Sequence, residues 1–369
     1  MPAIYGRAHG QRPGWMVLGL ADGARLLWET AAMRPHVPLF APSSAALPVD
    51  LPAAVPADRP TAVPADLPTA VPADRPTSAL ADLRAAAAAG RLRPLAELAP
   101  ARLASLRGVM TDIDDTLTRD GAIEPAALAA LQRLAGAGLP VIAITGRPAG
   151  WSEPFALAWP VAAIVAENGA VMLRRGDGAL RIDFVADAAQ RADNLRRLQA
   201  CAQAVLREVP GARLAQDSAG RLTDIAIDHS EFAQLDERQI GQVVAVMRDH
   251  GLTATVSSIH INGWIGSHGK PSGARWAVAL ALGLPFVADE WVYVGDSTND
   301  QAMFEALPLS VGVANIARFL PQLQVFPGFV TPAERGQGFA ELADAVLAAR
   351  GLTSTPDAGC YAWPAFRAG

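Results

Sequence analysis

The chain has 369 residues, of which 51% are hydrophobic and 18% are charged, and its formal net charge is −5. This composition supports a folded core, and nothing in it suggests the basic face on which sequence-independent nucleic-acid binding depends. The two cysteines, Cys201 and Cys360, are too few and too far apart for a disulfide framework or a cysteine-rich zinc site. A reducing, cytoplasmic location is therefore the simplest prediction.

Residues 1–102 are predicted to be a low-complexity, mostly disordered region. Its apolar segment 15–21 is too short to cross a membrane and is followed by charged residues, so we expect a soluble protein without a membrane partner. Residues 51–82 contain an eight-residue repeat: LPAAVPAD, RPTAVPAD, LPTAVPAD and RPTSALAD. Prolines in every repeat prevent helix and sheet formation, which favours a flexible linker.

From residue 103 onward, short apolar runs alternate with helical patterns. This alternation predicts an α/β fold with a Rossmann-like parallel sheet covered by helices, formed by residues 103–170 and 269–350. The predicted strands are 107–111, 140–144, 162–165, 291–294 and 309–313. The predicted helices are 124–137, 271–282 and 338–350.

Residues 171–268 have a different pattern. The strands predicted at 180–185 and 222–228 alternate apolar and polar residues, as half-exposed antiparallel strands do. Two amphipathic helices are predicted at 188–208 and 235–250. This segment is therefore expected to be an α+β cap domain inserted into the core, while residues 351–369 are expected to be a loose tail.

The first motif, TDIDDT, directly follows a predicted buried strand. Ligands of open α/β sheets bind at the carboxyl ends of strands, and clustered carboxylates there favour a hard cation such as Mg²⁺. Asp112 is a candidate nucleophile for phosphorus, and Asp114, two residues on, can protonate the leaving group and then activate water. The alternative is an acidic strand-to-helix turn.

The second motif, Thr145-Gly146-Arg147, also ends a predicted buried strand. A hydroxyl and a glycine amide suit a phosphate oxygen, and Arg147 can contact phosphate or substrate through two hydrogen bonds. Taken alone, this sequence also fits an ordinary helix N-cap.

Lys270 is the only lysine among the 31 lysine and arginine residues of the chain. It precedes a predicted helix, whose N-terminus attracts anions. An ammonium is a compact charge that can bridge a nucleophile and a phosphate, whereas a planar guanidinium fits differently. The use of lysine at this one position therefore indicates a functional role.

The fourth motif, GDSTND, follows the predicted strand WVYV. Its carboxylates, Asp296 and Asp300, would complete an oxygen-rich magnesium site, with Asp296 the better direct ligand. Asp300 could ligate the metal or instead orient Lys270. Asn299 is a candidate phosphate-binding residue.

The order of these motifs, VMTDIDDT, VIAITGR, Lys270 and YVGDSTND, resembles that of the haloacid dehalogenase superfamily of phosphohydrolases over residues 105–350. The long insert before Lys270 is similar to the subgroup with an α+β cap. That subgroup includes sugar-phosphate, sucrose-phosphate and mannosyl-phosphoglycerate phosphatases as well as phosphomannomutases. The chain departs from many relatives at Asp115, where they have glycine, and we expect this difference to affect the chemistry little.

The resemblance implies a role for each motif. Asp112 would be phosphorylated and Asp114 would act as acid and base. Mg²⁺ would be held by the Asp112 carboxylate, the Asp114 backbone carbonyl and Asp296. Thr145 and Lys270 would bind the phosphoryl group.

Substrate choice is expected to lie in the cap. His260, Asn262 and Trp264 alternate along a predicted strand and are candidates to contact a sugar, although the same pattern fits a hydrogen-bonded strand at the seam between cap and core. Glu167 and Asn168 are further candidates at the edge of the core. The expected partner is a small phosphorylated metabolite, and the oligomeric state is left open.

The predicted function is therefore a Mg²⁺-dependent phosphatase acting on a small phosphomonoester, such as a sugar phosphate or a phosphoglycerate derivative. A phosphomutase would use the same residues, but it would return the phosphoryl group to the substrate. A non-catalytic binding or regulatory protein is the third alternative, and the complete set of Asp112, Asp114, Lys270 and Asp296 argues against it.

Overall fold

The computed structural model describes residues 83, 85, 86, 89–176, 179–257 and 259–352. The predictions for the apolar segment 15–21, the repeats at 51–82 and the tail beyond residue 352 lie outside these residues. Within the described part, no helix has the length and apolar character needed to cross a membrane.

The strands of the described residues fall into three sheets. In chain order they are β1 (Arg93–Pro94), β2 (Gly108–Thr111), β3 (Thr118–Arg119), β4 (Ala122–Ile123), β5 (Val141–Ile144), β6 (Ala163–Ala166), β7 (Val171–Gly176), β8 (Ala179–Phe184), β9 (Arg213–Leu214), β10 (Asp224–Asp228), β11 (Thr253–Val256), β12 (His260–Trp264), β13 (Trp291–Gly295), β14 (Ser310–Gly312) and β15 (Phe329–Val330).

Five of the eight α-helices in the described residues correspond to predicted helices, whereas those at Pro100–Ala104, Ala149–Ala158 and Gln301–Ala306 were not predicted. In chain order all eight are α1 (Pro100–Ala104), α2 (Pro125–Gly136), α3 (Ala149–Ala158), α4 (Ala188–Glu208), α5 (Glu237–Asp249), α6 (Lys270–Leu282), α7 (Gln301–Ala306) and α8 (Arg335–Ala349). Short 3-10 turns connect several of these elements.

The core is a nine-stranded sheet in the order β1-β15-β14-β13-β2-β5-β6-β7-β8. All pairs from β1 to β6 are parallel, and β7 and β8 add antiparallel pairs at one edge. Its central strands are apolar on both faces because helices cover both sides. The central residues buried there include Val109, Met110, Ile142, Ile144, Val292 and Val294. The predicted α/β, Rossmann-like core is confirmed.

Two boundaries differ from the sequence prediction. Strands β7 and β8, within the segment 171–184 that the sequence assigned to the cap, extend the core sheet from β6. An alternating pattern fits a half-exposed edge of the main sheet as well as a separate sheet, so it could not distinguish them. At the other edge, β1 pairs with β15, although residues 1–102 were expected to be mostly disordered.

The cap consists of the four-stranded sheet β11-β12-β10-β9, against which α4 and α5 pack. Its pairs are antiparallel. The apolar stripe of α5 contributes Val243 and Met247, both fully buried, to a small core of its own. An Asp236 capping box begins α5, because the Asp236 carboxylate accepts the Gln239 amide while Gln239 accepts the Asp236 amide.

Candidate active site

The predicted motifs meet because their strands are neighbours. Strand β2 lies between β5 and β13, and all three run parallel. Asp112 directly follows β2, Thr145 directly follows β5, and Asp296 directly follows β13. The carboxyl ends of parallel strands lie at one edge of a sheet, so the three motifs share that edge.

Lys270 lies at the centre of this site as the first residue of α6. Its Nζ donates to Asp112 Oδ1 at 2.7 Å and to Asp300 Oδ1 at 2.7 Å, and it lies 3.3 Å from Asn299 Oδ1. Only 3% of the residue is exposed. Burial opposes the ammonium charge, but the two carboxylates outweigh burial and raise the pKa of Lys270 above its usual value. The lysine therefore remains charged at neutral pH.

Asp300 has both carboxylate oxygens engaged. Oδ1 accepts from Lys270 and from the Tyr293 hydroxyl, while Oδ2 accepts the amides of Asp296 and Ser297 at 2.9 and 3.0 Å. A carboxylate with four donors has little capacity left for a cation. Of the two roles that the sequence offers Asp300, this geometry favours orienting Lys270 over binding metal.

Three buried carboxylates, those of Asp112, Asp296 and Asp300, each offer one oxygen, and these oxygens lie within 4.8 Å of one another. Asp296 is fully buried, yet its Oδ1 has no hydrogen-bond partner, while its Oδ2 accepts from Asn315 and Arg318 at 3.0 Å each. Burial raises the pKa of Asp296 to about 8. A buried carboxylate oxygen without a donor suits a hard divalent cation. The residues present therefore fit Mg²⁺.

The pKa of Asp112 also lies well above its usual value, chiefly because the carboxylate is buried. Lys270 lowers it, and the neighbouring carboxylates Asp300, Asp296 and Asp114 raise it. Crowded carboxylates disfavour one another's charged forms, so an ionised Asp112 needs nearby positive charge. Lys270 supplies part of that charge, and a bound cation would supply more.

Arg147 bridges the core and the cap. Its Nε donates to both oxygens of Asp114 at 3.0 and 3.1 Å, and its two terminal nitrogens lie 3.2 Å from Asp217 and 3.3 Å from Glu231. The sequence predicted that Arg147 binds phosphate or substrate. Its guanidinium is instead occupied by three carboxylates, two of them on the cap, which the sequence around Arg147 does not reveal.

Thr145 makes a local contact, whereas Gly146 contacts the cap. The buried Thr145 Oγ1 accepts the amide of Arg147 at 3.0 Å. The Gly146 carbonyl accepts from Arg221 at 2.9 Å and from Asn262 Nδ2 at 3.2 Å, and both donors belong to the cap. A Cβ on Gly146 would lie 3.2 to 3.4 Å from the side chains of Asn168 and Asn262, so the position is crowded.

A cleft lies between the core motifs and the cap. Seven predicted site residues line it: Asp112, Asp114, Gly146, Arg147, His260, Asn262 and Asn299. His260 Nε2 lies 2.9 Å from Glu231 Oε2. The indole of Trp264, the third proposed sugar contact, is not among the lining residues and donates to the His268 carbonyl at 2.9 Å.

Glu167 is fully buried at the end of β6, where it joins the core to the cap. Its carboxylate accepts the amides of Ala149, Leu222 and Thr223, and also the Thr223 hydroxyl. It was a candidate for substrate contact from the sequence, but its oxygens hold backbone amides instead. Asn168, its neighbour, lies 3.4 Å from Asp224 of the cap.

Glu167→Ala is expected to destabilise the protein by about 3 kcal/mol, because it leaves buried amides without an acceptor. Urea unfolding of the variant measures this loss. The control is Glu97→Ala, at an exposed position, which should change the free energy of unfolding by less than about 0.5 kcal/mol. Equal stabilities of the two variants would contradict the anchoring role of Glu167.

Sequence reasoning missed several residues of the site. Asn315 and Arg318 follow the end of β14, so the same strand-end rule that identified Asp296 could have flagged them. Tyr293 sits within a buried apolar strand, where a lone hydroxyl is a weaker signal. Asp217 and Glu231 lie in cap loops, and no local pattern links them to Arg147.

Part of the chain matches a known protein family. Residues 109–184 match the family model of the haloacid dehalogenase-like hydrolases. A search of curated proteins gave no match.

Solved structures share the fold at low sequence identity. A crystal structure of Thermoplasma acidophilum 0175 is 18% identical, covers 67% of this chain and 99% of its own, and has a TM-score of 0.52. The C-terminal domain of the C. albicans trehalose-6-phosphate phosphatase is 14% identical and has a TM-score of 0.51. The match covers 71% of this chain and 99% of that domain. SMU.1108c from Streptococcus mutans UA159 is 15% identical and has a TM-score of 0.50. The match covers 66% of this chain and 99% of SMU.1108c. Residues 109–184 are therefore similar to the haloacid dehalogenase-like hydrolases, and these three solved structures share the fold of the chain.

Proposed function

We propose that this chain is a Mg²⁺-dependent phosphatase that hydrolyses a small phosphomonoester through an aspartyl-phosphate on Asp112. This proposal rests on the contact between Lys270 and Asp112. Beside it lies the buried carboxylate of Asp296, whose Oδ1 has no hydrogen-bond partner. A buried lysine paired with a strand-end carboxylate provides a nucleophile and the positive charge that an incoming phosphoryl group requires.

Mg²⁺ would be held by the carboxylates of Asp112 and Asp296 and by the backbone carbonyl of Asp114. When bound, the ion would neutralise charge on the phosphoryl oxygens and allow the anionic nucleophile and substrate to approach each other. Asp300 is left out of this set because its oxygens already accept four hydrogen bonds.

In the first step, a carboxylate oxygen of Asp112 attacks phosphorus, and the bond from phosphorus to the leaving oxygen breaks. Asp114 donates a proton to that oxygen, so the leaving group departs as a neutral alcohol. Arg147 holds the Asp114 carboxyl at the edge of the cleft through Nε. Lys270 stabilises the negative charge that remains on the phosphoryl group.

In the second step, Asp114 removes a proton from a water molecule, whose oxygen attacks phosphorus. The acyl-phosphate bond breaks, the Asp112 carboxylate is restored and inorganic phosphate leaves. The contacts of Arg147, Arg221 and Asn262 between core and cap exclude bulk water from the cleft while the intermediate exists.

The walls around the leaving group are acidic. Asp114, Asp120 and Glu231 line the mouth of the cleft, together with the ring of Phe232, which is 60% exposed. Arg147 is the only arginine or lysine among the described residues lining the cleft and its mouth, and three carboxylates already occupy it. These acceptors suit the hydroxyl groups of a sugar, whereas a carboxylate would meet no free cation. A sugar phosphate is therefore the favoured substrate over a phosphoglycerate.

The wild type is expected to prefer neutral sugar phosphates over phosphoglycerates by at least about 100-fold in kcat/KM, because like charges across a site disfavour the wrong ligand. Glu231→Gln should reduce this preference by about 10-fold, since it removes one of the repelling charges. The control is Glu208→Gln, on an exposed part of the cap, which should keep the wild-type preference. A wild type that turns over phosphoglycerates as well as sugar phosphates would contradict the assignment.

The general activity is tested by phosphate release from a panel of sugar phosphates and phosphoglycerates, in Mg²⁺ or in EDTA. We expect release that requires Mg²⁺ and needs no bisphosphate activator. A requirement for a bisphosphate, with the phosphoryl group retained on the product, would instead indicate a phosphomutase.

A further inference from the structure

Asp115, where many proteins of the superfamily that this chain resembles have glycine, has a defined set of contacts. Its backbone is left-handed, with φ = +54°, a conformation that Asp tolerates better than most residues. Its Oδ1 accepts from Arg335 Nε at 2.9 Å, and its Oδ2 accepts from Arg318 at 2.6 Å. The carboxylate thus anchors two arginines.

Arg318 extends this contact to the candidate metal site. The nitrogen that donates to Asp115 also lies 3.0 Å from Asp296 Oδ2. Asn315 Nδ2 donates to the same Oδ2 at 3.0 Å and to the Asp115 carbonyl at 3.0 Å. Two donors therefore hold one oxygen of Asp296.

The other oxygen of Asp296 is left without a donor. Asp296 is fully buried, and its Oδ1 has no hydrogen-bond partner. If the carboxylate were free to rotate, the two oxygens would exchange, and either could turn towards Asn315 and Arg318. Because Asn315 and Arg318 both donate to Oδ2 of Asp296, Oδ1 is the oxygen that remains available to a ligand.

We propose that Asp115 and Arg318 are positioning residues for the metal: they hold Asp296 so that Oδ1 is always the oxygen presented to Mg²⁺. This inference rests on the proposed magnesium site. Mutation of partners that orient metal ligands typically weakens metal binding or activity by about 10- to 100-fold. The aspartate at 115 would then have a function that glycine cannot supply.

Electrostatics alone gives the opposite expectation for Arg318. A guanidinium near a divalent cation repels it, so removal of the arginine would tighten Mg²⁺ binding if charge were its only effect. Loss of orientation would weaken binding. The sign of the change in Kd therefore separates the two accounts.

The experiment is calorimetric titration of Mg²⁺ into metal-free full-length protein, without substrate, for wild type, Arg318→Gln and Arg318→Lys. We expect Arg318→Gln to raise the Kd about 10-fold, as for other residues that orient metal ligands. Arg318→Lys keeps the charge, but its ammonium ends one bond short of the single guanidinium nitrogen that contacts both Asp115 and Asp296, so its Kd should also rise. Arg102→Gln, which removes an exposed arginine paired with Asp289, should leave the Kd unchanged.

Asp115→Asn tests the anchor, because asparagine also accepts the left-handed backbone. It should raise the Kd in the wild-type background and change it less in the Arg318→Gln background, since coupled residues are not additive. An unchanged or lower Kd in Arg318→Gln, or an unchanged Kd in Arg318→Lys, would overturn the positioning role alone. Absence of Mg²⁺ binding by the wild type would overturn the magnesium site as well.

Discussion

Asp112→Asn is expected to reduce Mg²⁺-dependent phosphate release by at least about 10⁴-fold, as loss of the nucleophile does in other covalent mechanisms. The amide oxygen of asparagine is a poor nucleophile and forms no acyl-phosphate. The variant should still fold, because Lys270 keeps its contact with Asp300 at 2.7 Å. Steady-state assays with p-nitrophenyl phosphate and with sugar phosphates measure the loss.

The matched control is Asp289→Asn, which makes the same chemical change at an exposed position. It should retain wild-type kcat/KM. Substantial activity in Asp112→Asn, with the control unaffected, would show that another residue is the nucleophile.

Lys270→Met is expected to have the second largest effect, because it removes the cation shared by Asp112 and Asp300. Removing one partner of a buried ion pair destabilises a protein by about 3–5 kcal/mol, and the uncompensated charge is the main reason. Activity should fall together with stability, since the phosphoryl group also loses its ammonium contact. Urea unfolding in EDTA and phosphate release in Mg²⁺ measure the two losses.

The stability loss in Lys270→Met should depend on pH. Burial already holds the pKa of Asp112 above its usual value, and loss of the lysine raises it further. The folded variant then keeps a proton that the unfolded chain releases above pH of about 4, so its stability falls as pH rises. The difference from wild type should be larger at pH 8 than at pH 5.

Lys270→Arg provides the control for charge. It should recover part of the stability, because the positive charge is restored, but little of the activity, since the guanidinium has a different shape. Wild-type turnover in Lys270→Arg would contradict the proposed role of the single lysine of the chain.

The sequence was sufficient to predict that three candidate residues lie at one edge of the central sheet. Each of Asp112, Thr145 and Asp296 directly follows an apolar run that forms a central strand, and adjacent parallel strands bring their carboxyl ends together. Helix α4 was predicted with the bounds found in the structure, because its amphipathic pattern is long and uninterrupted. Local patterns of this kind depend on few long-range contacts.

The remaining features depend on which elements meet in three dimensions. Arg147 contacts Asp217 and Glu231, which lie 70 and 84 residues away, and only the packing of the cap against the core selects them. The contacts of Asp115 with Arg318 and Arg335 could not be anticipated either, because these partners follow about 200 residues later. Spacing within a motif contains no information about such contacts.

Transfer of the phosphoryl group to Asp112 is tested most directly by mass spectrometry of acid-quenched protein. Wild type mixed with Mg²⁺ and a phosphomonoester that it turns over would be quenched within one turnover and digested. We predict a phosphorylated peptide containing Asp112 that is absent in EDTA and in Asp112→Asn. Release of phosphate by the wild type, with the quenched peptide unmodified and phosphate found on another residue, would contradict the account.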